Sequence, residues 1–155
     1  MPPEQLMQLA IDKALDGIRG GQSPFGCAIA RDGRVLSVSH NIVWQEMDIT
    51  AHAEITAIRA ACRSVDAIHL EHAVVATTCE PCPMCMAALH WARVEVVYFG
   101  ASIDDATIAG FNELTLPAAE LLRIGGSTVK LVPQVLRERC VELFRTWKTN
   151  SGRSY

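Results

Sequence analysis

Residues 72–101 read HAVVATTCEPCPMCMAALHWARVEVVYFGA. Two short β-branched runs, HAVVATT and VEVVYFGA, flank a segment that opens with prolines and then takes a helical period. Strand, helix and strand in so few residues predict βα alternation, which implies a sheet with helices on its faces.

Working upstream, AHAEITAIRAACRSV (51–65) has Ala51, Ile55, Ile58, Ala61 and Cys62 along one side of a helix, with Thr50 or Asp48 available as its cap. FGCAIARDGRVLSVSHNIVW (25–44) is two apolar runs around Asp32-Gly33, a dipeptide that suits a tight primed turn because glycine tolerates positive φ. The first helix places Leu6, Leu9, Ala10, Ile11, Ala14, Leu15 and Ile18 at helical spacing and stops at Gly20-Gly21. Downstream, 102–116 is expected to be irregular, PAAELLRIGG a helix, STVKLV a strand, and the last helix begins at Pro133. The predicted fold is α/β: a three-layer α/β/α sandwich around a mixed sheet of about five strands, with one domain over 1–155.

The chain has 155 residues, half of them apolar, and a net charge of −3. No window holds the eighteen or so apolar residues a membrane span needs, and the opening segment has neither the basic nor the apolar region of a signal peptide. A cytoplasmic protein with no membrane partner is expected. Six cysteines in a reducing compartment are metal or catalytic candidates rather than a disulfide framework. The mild acidity argues against a strong phosphate-binding surface. The exception is 137–155, where Arg137, Arg139, Arg145, Lys148 and Arg153 face only Glu138 and Glu142. This is either a solvated helix face or a contact to an anionic ligand or RNA.

Cys82 and Cys85 are three apart at a predicted helix start, which puts both sulfurs on one face near a dipole that favours thiolate. His52 lies at the start of the preceding helix. Two helix starts meeting at one sheet edge would bring the three together as zinc ligands, leaving a fourth place for water, the arrangement of catalytic sites. Glu54, two positions past His52, need not share its face and can reach that water instead. Zinc lowers the pKa of a bound water from about 15.7 to about 7. A carboxylate beside it can serve as general base and acid, typically worth about 10² to 10⁴-fold. Cys79 offers an alternative: with His52, Cys82 and Cys85 it would close a structural site in a non-catalytic zinc module.

HAE at 52–54 with EPCPMC at 80–85 resembles the signature of the zinc-dependent nucleobase and nucleoside deaminases, the cytidine deaminase-like superfamily. The chain is most similar to the small bacterial guanine deaminases in that set. The likeness extends to PFG at 24–26, Asn41, TAHAEITAIR, WAR at 91–93, AGFNE at 109–113 and a closing Tyr155. The resemblance implies one zinc per chain, held by His52, Cys82 and Cys85 with a bound water or hydroxide, and Glu54 as the catalytic proton carrier. It implies hydrolysis of guanine to xanthine and ammonia, in purine metabolism.

For the substrate it implies contacts from Phe25, Asn41, Ala53, Trp91, Phe111, Glu113 and Tyr155. Glu113 would accept from the purine N1–H and 2-amino group, Asn41 would hydrogen-bond the ring, and the aromatics would wall the pocket. For each aromatic, ordinary core packing is the alternative. The relatives exchange the last segment (about 133–155) between subunits, which implies a homodimer with a domain swap. The rivals are a tRNA adenosine deaminase and a deaminase of cytosine, guanosine or another amino-purine or amino-azine. The ASIDDATIAGFNEL segment and the net charge speak against RNA.

Overall fold

The computed structural model describes residues 1–155. Five strands form one sheet in the order β2-β1-β3-β4-β5. Strands β1 (Gly26–Arg31) and β2 (Arg34–His40) form the predicted hairpin, and its two-residue turn is Asp32-Gly33, with φ of 52° and 77°. β1 also pairs antiparallel with β3 (Val74–Cys79). β3, β4 (Val96–Ala101) and β5 (Lys130–Val132) run parallel, so the sheet is mixed.

Every residue of β1 except Arg31 is buried, as expected of a strand covered on both faces. α1 (Pro3–Arg19) packs on β1, β2 and β3 and against α7 (Arg137–Thr149), which lies on β4. α3 (Ala53–Val65) packs on β1 and β2 and against α4 (Pro83–Trp91). Gly26 permits the close seat of α1: a Cβ there would lie 2.0 Å from the Ala10 carbonyl oxygen.

Several local expectations are corrected. The buried face of α3 is Ala53, Glu54, Ala57 and Ala61, while Ile55 and Ile58 are only half-buried. Small side chains let the helix sit close to the sheet, and Ile58 packs against the core in part. The N-cap of α3 is His52, with no side-chain capping bond; Asp48 instead accepts from the N–H and hydroxyl of Thr50 in the turn before it. Val43–Glu46 adds a short helix, α2.

The stretch expected to be irregular contains α5 (Ile103–Ala109), because Ser102 and Asp105 form a reciprocal capping box and Gly110 ends the helix at φ 109°. α6 follows at Ala118–Gly125. The last helix begins at Arg137, not Pro133: Gln134 and Leu136 take positive φ, and the Val135 N–H donates to the Phe99 carbonyl of β4. The STVKLV strand shrinks to three residues. No helix is long and apolar enough to cross a membrane.

Candidate active site

His52 and Cys82 are the N-cap residues of α3 and α4, two helices that pack on each other. Pro83 occupies the first turn of α4, where a missing N–H costs nothing. Cys85 lies one turn on, fully buried. The His52 Nδ1 is 3.6 Å from Cys82 Sγ and 3.4 Å from Cys85 Sγ. The three donor atoms lie within 4.8 Å of one another. Tetrahedral bonds of about 2.1 Å to nitrogen and about 2.3 Å to sulfur separate the two ligand atoms by about 3.6 Å. Both the spacing and the donor set therefore fit a zinc ion.

The electrostatics divide the two thiols: the hydrogen bond to Cys82, with burial, pushes Cys85 well above the usual thiol value, so Cys82 is the readier thiolate. A hydrogen bond from the Cys85 thiol, with His52 beside it, holds the Cys82 thiol down at about 4. Desolvation works against the charged His52 imidazole, but the Cys82 and Glu54 charges outweigh it and raise its pKa. Cys79 stands outside this group. It ends β3, and its thiol donates to the Ser102 carbonyl at 3.4 Å.

Glu54 is buried beside the triad. Its Oε1 accepts from the Thr77 hydroxyl at 3.0 Å and its Oε2 from the Cys85 thiol at 3.5 Å. Burial pushes its pKa up, which suits a group that must both take and give a proton. Thr77 was not legible as a site residue: nothing near it in sequence marks a strand threonine as the support of a carboxylate 23 positions away.

A cavity of about 20 Å³ adjoins the triad, lined by Phe25, Asn41, His52, Glu54, Cys79, Glu80, Cys82, Glu113 and Tyr155. Its mouth continues into a recess of about 290 Å³ along Ile49, Thr50, Pro83, Met84 and residues 112–114. Asn41 is fully buried, and its Oδ1 accepts from the Val43 N–H at 3.1 Å. That bond fixes the amide, leaving Nδ2 to donate into the pocket, where it meets the Tyr155 hydroxyl at 2.7 Å. Asn41 therefore presents a donor to the pocket.

Glu113 faces the pocket from the loop after α5, and burial followed by the Cys82 charge raises its pKa. Ala53 is wholly buried as the first residue of α3. Phe111 lies behind the wall, edge-on to Phe25 at 4.9 Å and to Tyr155 at 5.4 Å and stacked on Trp147 at 4.9 Å. Trp91 is not brought to the site. It ends α4, eight residues past Pro83 and so about 12 Å along the axis, with 72% of its surface exposed.

The residues that hold Tyr155 in place were missed by the sequence reading. Arg153 lies over the Trp44 ring at 3.8 Å, and the Gly152 N–H donates to the Trp147 carbonyl. The basic stretch of α7 is largely engaged within the chain: Arg137 with Asp105, Arg145 with Glu142 and Arg139 with Gln8. A groove of about 730 Å³ between α1 and α7 holds no part of the triad.

Residues 2–101 match the family described as the cytidine and deoxycytidylate deaminase zinc-binding region. The chain belongs to this family. Guanine deaminase of Bacillus subtilis (strain 168) is 41% identical over 114 residues, 73% of each chain. A crystal structure of guanine deaminase from Bacillus subtilis superposes with a TM-score of 0.70 at 35% identity, over 96% of this chain and 95% of that one. The tRNA-specific adenosine deaminase of Aquifex aeolicus (strain VF5) is 39% identical over 119 residues, 76% of this chain and 79% of the relative. NE0047, solved in complex with 2,6-diaminopurine, superposes with a TM-score of 0.88 at 25% identity, over 99% of this chain and 85% of that one.

Proposed function

We propose that this chain is a cytoplasmic, zinc-dependent aminohydrolase that converts guanine and water to xanthine and ammonia. One observation carries the reading. A buried carboxylate, Glu54, adjoins a His/Cys/Cys triad at a small pocket, and a second carboxylate, Glu113, lines the same pocket.

His52, Cys82 and Cys85 would hold one zinc ion, with a water completing its coordination. When bound, the ion supplies Lewis acidity that makes water a nucleophile at neutral pH. The protein's residues do the rest. Glu113 is an acceptor-only group and pairs with adjacent donors, the N1–H and 2-amino group of guanine. Asn41, its amide fixed by Val43, donates to an acceptor on the ring. Phe25 and Tyr155 offer aromatic surface to the purine and exclude water. Glu54 takes one proton from water and delivers it to N3, beside the amino-bearing carbon, as the water oxygen bonds to that carbon. It then takes that oxygen's second proton and delivers it to the amine, which leaves as ammonia as the C–N bond breaks and the carbonyl forms. Thr77 keeps Glu54 aimed at that path.

The Aquifex aeolicus relative supports a second reading, deamination of adenosine in tRNA. A pocket walled by Tyr155, and a last helix whose Arg137, Arg139 and Arg145 each meet a side-chain partner, favour the free base. We further propose a homodimer in which the segment 133–155 is exchanged. Gln134 and Leu136, both at positive φ just ahead of α7, form the turn at which that segment could instead be directed to a partner, making the same contacts there. An ammonia-release screen of the zinc-loaded protein against guanine, guanosine, adenine, cytosine, cytidine and a tRNA anticodon stem-loop tests the substrate. Release from guanine at the highest kcat/KM is expected; release from the stem-loop alone would overturn the reading.

A further inference from the structure

Glu113 sits in the loop Gly110–Pro117, between α5 and α6. Phe111 and Asn112 are tied by their N–H groups to the Ala106 and Tyr155 carbonyls, the latter at 3.4 Å. From Glu113 to Pro117 no backbone N–H donates to another backbone group. A carboxylate on such a segment can hold a substrate edge only if the segment's ends are fixed.

Glu80 fixes both. Its Oε2 accepts from the N–H of Ile103, the first residue of α5, at 3.1 Å. Its Oε1 accepts from the N–H of Ala118, the first residue of α6, at 2.9 Å. One carboxylate thus caps two helices, the one that leads into the loop and the one that leads out. Both helix dipoles favour its charge, and α6 has no side-chain cap of its own. The Glu80 backbone is itself anchored, its N–H donating to the Ala101 carbonyl at 2.8 Å. Glu80 lies between Cys79 and Pro81, two residues ahead of the ligand Cys82, and it lines the same cavity as Glu113.

We propose that Glu80 is a positioning residue for purine recognition, setting the place of Glu113 relative to the metal ligands. This rests on the reading of Glu113 as the acceptor for the purine edge. The joint demand is specific to a carboxylate: two oxygens accept from two N–H groups, whereas a glutamine must turn an NH₂ toward one of them.

The test uses the zinc-loaded full chain. Glu80→Gln should raise KM for guanine at least tenfold, with kcat within about threefold and zinc content unchanged. Ala118→Pro removes one of the two donors while keeping a residue suited to a first helical turn after Pro117. It should shift KM in the same direction, and it serves if Glu80→Gln does not fold. In a Glu113→Ala background the Glu80→Gln penalty on kcat/KM should shrink to within twofold, because the two residues act through one contact. An unchanged KM in either variant, an equal penalty in both backgrounds, or loss of zinc would overturn the proposal. Wild-type protein that leaves guanine unaltered would refute the substrate reading and this inference together. Wild-type turnover that depends on Glu113 but not on Glu80 would refute this inference alone.

Discussion

Asn41 Nδ2 donates to the hydroxyl of Tyr155 at 2.7 Å, joining residues 114 positions apart across the mouth of the pocket. The phenol occupies the donor that the pocket would otherwise present to a ligand. With it in place the cavity holds about 20 Å³, room for about one water. Entry of a base therefore requires Tyr155 to shift. Tyr155→Ala should raise KM for guanine roughly tenfold through loss of the aromatic wall, a contact of about 1 kcal/mol or more. Tyr155→Phe should retain most of the wild-type KM. Steady-state ammonia release measures both, and an unaltered KM in Tyr155→Ala would exclude the residue from the pocket.

Glu54 touches Thr77 and Cys85 but is not one of the triad. Glu54→Gln should therefore keep its zinc and lose turnover by about 10² to 10⁴-fold, the usual worth of a positioned acid–base group. His52→Ala should lose the metal as well. Metal content by atomic emission, measured beside activity on the same samples, separates the two. Zinc loss in Glu54→Gln would assign the carboxylate to the coordination shell.

Glu113→Ala should lower kcat/KM for guanine by on the order of 10² or more, since a site built to pair donor groups loses far more than contact area when its partner is removed. Zinc should be retained. Unchanged guanine kinetics would remove Glu113 from recognition.

Asp105 caps α5 and pairs with Arg137 of α7, and that guanidinium beside it is the main reason its carboxyl is held down at about 2. The folded pKa lies below the unfolded value of about 3.9. Its stabilisation is therefore fully present above about pH 4 and is lost as pH falls from there toward 2. Arg137 is 40% exposed, so solvent screens the pair, and the cap carries much of the effect. Asp105→Asn should cost about 1 kcal/mol at pH 7. In urea titrations its deficit against wild type should be constant from pH 8 to 5 and shrink below pH 4. A deficit independent of pH would contradict the ionised cap.

Gly26→Ala should destabilise the fold by about 2–3 kcal/mol, because the new methyl meets the Ala10 backbone rather than a movable side chain. Chemical denaturation measures it, and a variant as stable as wild type would show that α1 can retreat from β1.

Features that depend on neighbours in the chain were readable from the sequence. Asp32-Gly33 specifies its turn through backbone torsions alone, and the alternation around it sets two strands. His-x-Glu and Cys-x-x-Cys at helix starts define which side chains can converge on a metal, because helix geometry is local. The Ser102–Asp105 capping box is local in the same way, a serine with an acid three residues on. The side chains that aim the chemistry were not readable. Thr77 under Glu54, Val43 fixing the Asn41 amide, Glu80 bridging two helix starts and Tyr155 reaching Asn41 each pair groups that only packing makes adjacent. Trp91 marks the same boundary from the other side: its sequence context resembles that of pocket residues, yet the length of α4 carries it to the surface. The sequence by itself determined the five strands, the longer helices, their order and the donor atoms for a metal, since these follow from torsional preference and short-range spacing. Only the tertiary structure decided which polar atoms face the pocket and which are already engaged, since a hydrogen bond depends on distance in space and is indifferent to distance along the chain.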